Sequence, residues 1–125
     1  PPVPILSRQA SRADRLAHLD VEKGALVLVI PWLLHRAGDL WQKPNHFMPE
    51  RFLEGARPRP YSYVPFAIGP RICAGLAFGL TESVLCLATL AQRFRVRLAT
   101  EAQVEPLCRL TLRPKAGLPV RAEPR

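Results

Sequence analysis

The ten residues Phe66 to Gly75 (FAIGPRICAG) place Cys73 between two glycines, two residues after an arginine and just ahead of a long apolar stretch. If that stretch is a helix, Cys73 stands at its mouth. Unpaired backbone N–H groups and the positive end of the helix dipole favour negative charge there. A thiolate in such a place is a ready metal ligand. A solitary cysteine is more often a small buried hydrophobe. The company it keeps argues for a ligand: Phe66 lies seven residues before it, Gly69 four before, Arg71 two before and Gly75 two after.

The surrounding elements must hold that loop. From Ala74 to about Gln92 apolar residues cover nearly every face, which predicts a buried helix. A helix of that kind needs more protein around it than the rest of the chain offers. Ahead of the loop, residues 38–65 are rich in proline and poor in periodic apolar positions, so they read as a long irregular meander. A loop of that length has a function or packs on something large. Pro31 to His35 begins a short helix, since proline suits the first helical position. Residues 3–8 look extended. Leu16–Leu19 and Ala25–Ile30, around the charged, glycine-ending segment 20–24, read as a β-hairpin. After the helix, Phe94–Leu98 and Arg109–Leu112 alternate like half-buried strands. Pro114–Gly117 is a turn and Leu118–Arg121 a last strand.

Composition sets the bounds. The 125 residues suffice for one modest domain, and 48% hydrophobic with 22% charged is ordinary for a globular protein. The formal charge of +8 is carried mainly by arginine, only Lys23, Lys43 and Lys115 being lysines. The arginines are scattered, without basic blocks or aromatic interleaving, which argues against nucleic acid. Cys73, Cys86 and Cys108 are far apart, so no zinc pattern arises, and an odd count points to a reducing, cytoplasmic setting. Cys86 reads as core. His18 and His46 have no partner at ligand spacing. Trp32 and Trp41 read as packing residues.

The pattern Phe66-x-x-Gly69-x-Arg71-x-Cys73-x-Gly75 resembles the haem-ligand loop of the cytochrome P450 family. His35-Arg36, Trp41, Pro44, Phe47 and Pro49-Glu50-Arg51-Phe52 resemble the stretch that precedes that loop. Pro1-Pro2 with Arg8, and the closing segments 110–114 and 117–120, resemble family segments more loosely. The departures are Ala67 where glycine or serine is usual, Gly79 where alanine is usual, and Gly38 where proline is common. The resemblance implies an α+β fragment, the C-terminal portion of one mainly α P450 domain over residues 1–125, with the N-terminal and distal parts outside it. It implies haem b with Cys73 as the iron's axial ligand, whose electron donation favours O–O cleavage. Phe66 would shield the sulfur, Arg71 and Arg8 would hold propionates, and Gly69 and Gly75 would let backbone and ring approach. Arg51 would close a buried triad with two residues of an upstream helix, and without them would leave its loop slack. The implied activity is monooxygenation of a small organic substrate by O2. Electrons would come from a donor of ferredoxin, flavodoxin or P450 reductase type, with Arg71, Arg93 and Arg95 as docking candidates. A membrane anchor, if present, would lie upstream. The alternatives are a non-catalytic truncated remnant or haem-binding module and, on charge alone, a basic nucleic-acid-binding protein.

Overall fold

The computed structural model describes residues 1–53, 55–99 and 103–125. The chain divides into two units, Pro1–Pro65 and Phe66–Arg125.

Strand pairing in the first unit is nested. β1 (Leu6–Gln9) and β4 (Leu26–Val29) pair antiparallel, Leu6 opposite Val29. Between them in sequence, β2 (Asp14–Leu16) and β3 (Leu19–Val21) form their own hairpin. The hairpin expected between Leu16–Leu19 and Ala25–Ile30 is therefore corrected. Asp20 and Val21 are strand residues, Arg15 faces Asp20, and the turn is Ala17-His18. No glycine marks that turn because Ala17 itself takes the left-handed conformation, at φ 54°. Gly24, at φ 87°, instead turns the chain into β4, and its N–H donates to Ala10 C=O at 2.8 Å.

Helix α1 (Pro31–Leu34) opens on a proline, as expected, and Pro31 is fully buried. The Trp32 N–H donates to Pro4 C=O at 3.3 Å. The meander follows, with a 3₁₀ turn at Pro49–Phe52 as its one regular piece among the described residues. Its centre is aromatic. Trp41 is 8% exposed, donates Nε1–H to Leu34 C=O at 3.1 Å, and meets Tyr63 edge-on at 6.1 Å. Phe52 lies 4.8 Å from the same tyrosine ring. Ser62 and Val64 are buried beside this cluster in sequence. Trp41 is thus the packing residue expected. Trp32 instead carries the Arg36 guanidinium 3.5 Å above its ring.

In the second unit α2 (Leu76–Arg93) follows the loop and runs without a break into β5 (Phe94–Leu98). That strand pairs antiparallel with β8 (Val120–Pro124). β6 (Pro106–Cys108) and β7 (Leu112–Pro114) form a second hairpin. The strand expected at Arg109–Leu112 is corrected: residues 109–111 are the tip of that hairpin, and Leu110 there is 87% exposed. Pro114, expected in the following turn, ends β7, and the last strand starts at Val120, two residues later than expected, after the irregular residues 117–119.

The burial predicted for the helix is not supplied by these residues. No residue of α2 is buried, and Phe78 is 73% exposed. Cys86, expected in a core, is exposed as well. The chain presents 10917 Å² of accessible surface at 14.0 kDa. A compact folded protein of that mass presents about 6,700 Å². Among the described residues no helix is long and apolar enough to cross a membrane.

Candidate functional site

The cysteine loop is built almost wholly by backbone. Phe66 C=O accepts the Cys73 N–H at 2.9 Å, which closes the loop on itself. Inside it, Ala67 stands at φ 59° and Gly69 at φ 68°, both left-handed, with Ile68 extended between them. Gly69–Arg71 then makes a single 3₁₀ turn with Pro70 inside, and the Ile72 N–H donates to Gly69 C=O at 3.0 Å. Proline favours such a turn because its φ is preset. Cys73 C=O accepts the Leu76 N–H at 3.2 Å, and Gly75 is the N-cap of α2. The cysteine therefore sits two residues ahead of the N-cap, as its sequence position predicts.

What this leaves around the sulfur is open space. Cys73 is exposed. A Cβ built on Gly75 would lie 3.9 Å from Cys73 Sγ, so any side chain at Gly75 would occupy the sulfur's flank. Gly75 has φ −87°, which any residue adopts, so its own backbone makes no demand for glycine. The vacant space beside the sulfur does, if a flat group is to come close. Gly69 is different: its φ alone favours glycine. Among the described residues no three of histidine, cysteine, aspartate and glutamate are grouped as metal ligands. An exposed thiolate with glycine on its flank suits an iron whose other ligands come from a flat porphyrin. The residues present fit a haem on this test.

The Arg71 side chain is exposed, and no hydrogen bond or ion pair to it occurs among the described residues. Its guanidinium is available to an anion. Phe66, Gly69, Arg71, Cys73 and Gly75 are thus brought into one loop. Arg8 belongs to the first unit, on β1, where it is exposed and donates from Nη1 to Ser7 C=O at 2.7 Å.

Two features escaped sequence reasoning. His35 Nε2 accepts the buried Val64 N–H at 2.9 Å, and its ring lies 4.9 Å from that of Tyr63. Burial holds its pKa below the ordinary value, and the positive charge of Arg36 adds to this. A neutral imidazole is what the bond requires, since a protonated ring has no lone pair for Val64. The partner is a backbone group 29 residues away, so no spacing of residue types reveals it. The loop around Arg51 is tied down, contrary to the slack expected of it. Its Nη2 donates to Lys43 C=O at 2.7 Å and lies 3.2 Å from Met48 Sδ. A backbone carbonyl of the meander itself, rather than a residue of an upstream helix, is its partner here.

The family model for cytochrome P450 matches residues 1–119. Among curated relatives, Cytochrome P450 714A2 of Arabidopsis thaliana is 38% identical over 97% of this chain and 24% of its own length. A Cytokinin hydroxylase of the same plant is 36% identical over 99% of this chain and 24% of its own. Among solved structures, the heme domain of cytochrome P450DA superposes with a TM-score of 0.91 at 27% identity, over 99% of this chain and 28% of that one. The chain spans about a quarter of the length of the relatives it matches.

Proposed function

The chain belongs to the cytochrome P450 family, and on that premise we propose that it is the C-terminal, haem-thiolate portion of a monooxygenase domain. When bound, haem b supplies dioxygen activation, so that one oxygen atom enters an organic substrate and the other leaves as water, with electrons from a donor protein. Every other part of the reading concerns what this chain's own groups do. Cys73 supplies the one protein ligand, through a sulfur that the loop presents to solvent. Gly75 keeps the sulfur's flank clear for a flat ring. Phe66 is tied to the cysteine's backbone, and its ring covers the sulfur once haem is bound. Arg71, unpaired in the loop, and Arg8 hold carboxylates of the haem through charge-assisted hydrogen bonds. The apolar faces of α2 are covered by the rest of the domain.

The observation that carries this reading is the loop closed by Phe66 C=O on the Cys73 N–H, with the sulfur exposed and glycine on its flank at position 75. The test uses the full-length protein, reduced and exposed to carbon monoxide. Its Soret band is expected far to the red, as thiolate opposite carbon monoxide dictates. Cys73→Ser abolishes that band, while Cys86→Ser and Cys108→Ser retain it. A band surviving in the Cys73 variant refutes the assignment.

A second reading concerns these 125 residues alone. The exposed length of α2 favours a non-catalytic remnant that holds haem poorly and turns nothing over.

A further inference from the structure

We propose that His35 is an acid-released latch on the segment that leads into the cysteine loop. Neutral, it holds Val64; protonated, it lets Val64 go. The geometry carries this. His35 is the C-cap of helix α1, its own N–H donating to Pro31 C=O at 2.9 Å. From that fixed post its Nε2 accepts the Val64 N–H at 2.9 Å. Val64 is 5% exposed, and Ser62, two residues before it, 4%. Tyr63, between them, packs its ring against those of His35 and Phe52, at 4.9 and 4.8 Å. Ser62 donates both its N–H and its hydroxyl to Arg59 C=O, at 3.0 and 2.8 Å. The segment is therefore held at both ends, by a turn at Ser62 and by an imidazole at Val64.

Only the second hold titrates. An imidazolium carries N–H on both nitrogens, so its Nε2 no longer accepts and two donors face each other. The Val64 N–H is then buried without a partner, which favours opening of the segment to water. His35 lines a cavity with His46, Arg51 and Tyr63, which gives a proton its way in. Of the groups around the ring, Arg36, next in the chain, and Arg51, across the cavity, are cations, and His46 is a second imidazole. The two cations oppose a charge on His35 and do not anchor one. Burial, with the Arg36 charge, accordingly sets its pKa below the ordinary value. More protein packed around His35 only deepens that burial. Pro65 alone separates Val64 from Phe66 in the chain, and its φ is preset. An opening at Val64 therefore reaches the residue whose carbonyl closes the cysteine loop. This last link rests on the haem-thiolate reading; the latch itself does not.

The test is hydrogen exchange at the Val64 amide of the full-length protein, corrected for intrinsic rate, between about pH 8 and about pH 5. Protection is expected to be flat above about pH 6.5 and then to fall by up to about tenfold per pH unit, as linkage to the imidazole requires. His46→Gln keeps that fall. His35→Gln, whose amide oxygen accepts the bond but takes no proton, stays protected across the range. His35→Leu, with no acceptor, is unprotected throughout. Wild-type protection that stays flat into acid overturns the latch, as does a His35→Gln profile that falls in step with wild type. In a second arm the reduced, carbon monoxide-bound protein is followed over the same range. Its red-shifted Soret band is expected to decay with the exchange profile in wild type and to persist in His35→Gln. A band that decays equally in both overturns the link to the loop. A protein with no such band at any pH refutes the haem-thiolate reading instead, and exchange still decides the latch.

Discussion

At the scale of single residues, the cysteine loop contains one avoidable strain. Ala67 stands at φ 59°, a conformation that costs a residue with a Cβ roughly 1–2 kcal/mol. Glycine adopts it freely but loses more chain entropy on folding, which offsets up to about 1 kcal/mol. Ala67→Gly is therefore expected to raise the melting temperature of the full-length protein by the equivalent of about 0.5–1 kcal/mol. An unchanged or lower melting temperature would show that the methyl group has packing worth more than the strain. His35 makes a second prediction. Its pKa is lowered in the folded state, so the unfolded chain binds more protons as pH falls. Stability is full above about pH 6.5, declines as pH falls below it, and levels off once the folded imidazole is itself charged. Thermal melts of His35→Gln across that range should show a flatter dependence, and an unaltered slope would assign the acid sensitivity to other groups.

At the scale of elements, α2 carries a glycine in its interior. A Cβ built on Gly79 meets nothing within 4 Å, and glycine costs a helix about 1 kcal/mol relative to alanine. Gly79→Ala should stabilise the full-length protein by about that amount, read as a rise in the denaturant midpoint. A destabilised variant would show that another part of the domain packs closely against that spot. The hairpins depend on different contacts. In β6–β7 the ends are tied by the Lys115 N–H to Glu105 C=O at 2.9 Å and by the Lys115 ammonium on the same residue's carboxylate. The ammonium pair is exposed and contributes little; the backbone bond fixes the register. In the meander, Arg51 ties the 3₁₀ turn back to Lys43 C=O at 2.7 Å, a link that substitutes for regular secondary structure.

At the scale of the whole molecule, the balance of surface decides the behaviour. With 10917 Å² exposed and no buried residue described in Phe66–Arg125, these 125 residues leave α2's apolar side chains in water. Exposed patches of that extent bind hydrophobic partners or other copies of the same chain. Expressed alone, the chain is expected to enhance the fluorescence of a hydrophobic dye, to associate with itself and to melt without a sharp transition. A monodisperse species with cooperative melting would mean that these residues make a core of their own.

The cysteine loop was legible in the sequence because its chemistry is local. Phe66, Gly69, Arg71, Cys73 and Gly75 lie within ten residues, and the turns joining them depend on glycine and proline, whose backbone preferences are intrinsic. Helix α2 and helix α1 were legible for the same reason, through continuous apolar content and a proline at the first position. Burial was not, since it depends on what surrounds a helix rather than on the helix. The partners of strands were not either: β4 joins β1 across an intervening hairpin, and no residue in Leu26–Val29 names its partner. His35 on Val64 and Arg51 on Lys43 are bonds to backbone groups, which every residue carries alike. Sequence determined how the cysteine loop turns and which residues it gathers; only the tertiary structure decided which distant backbone groups satisfy the polar side chains, because that choice is made by chain path and not by residue type.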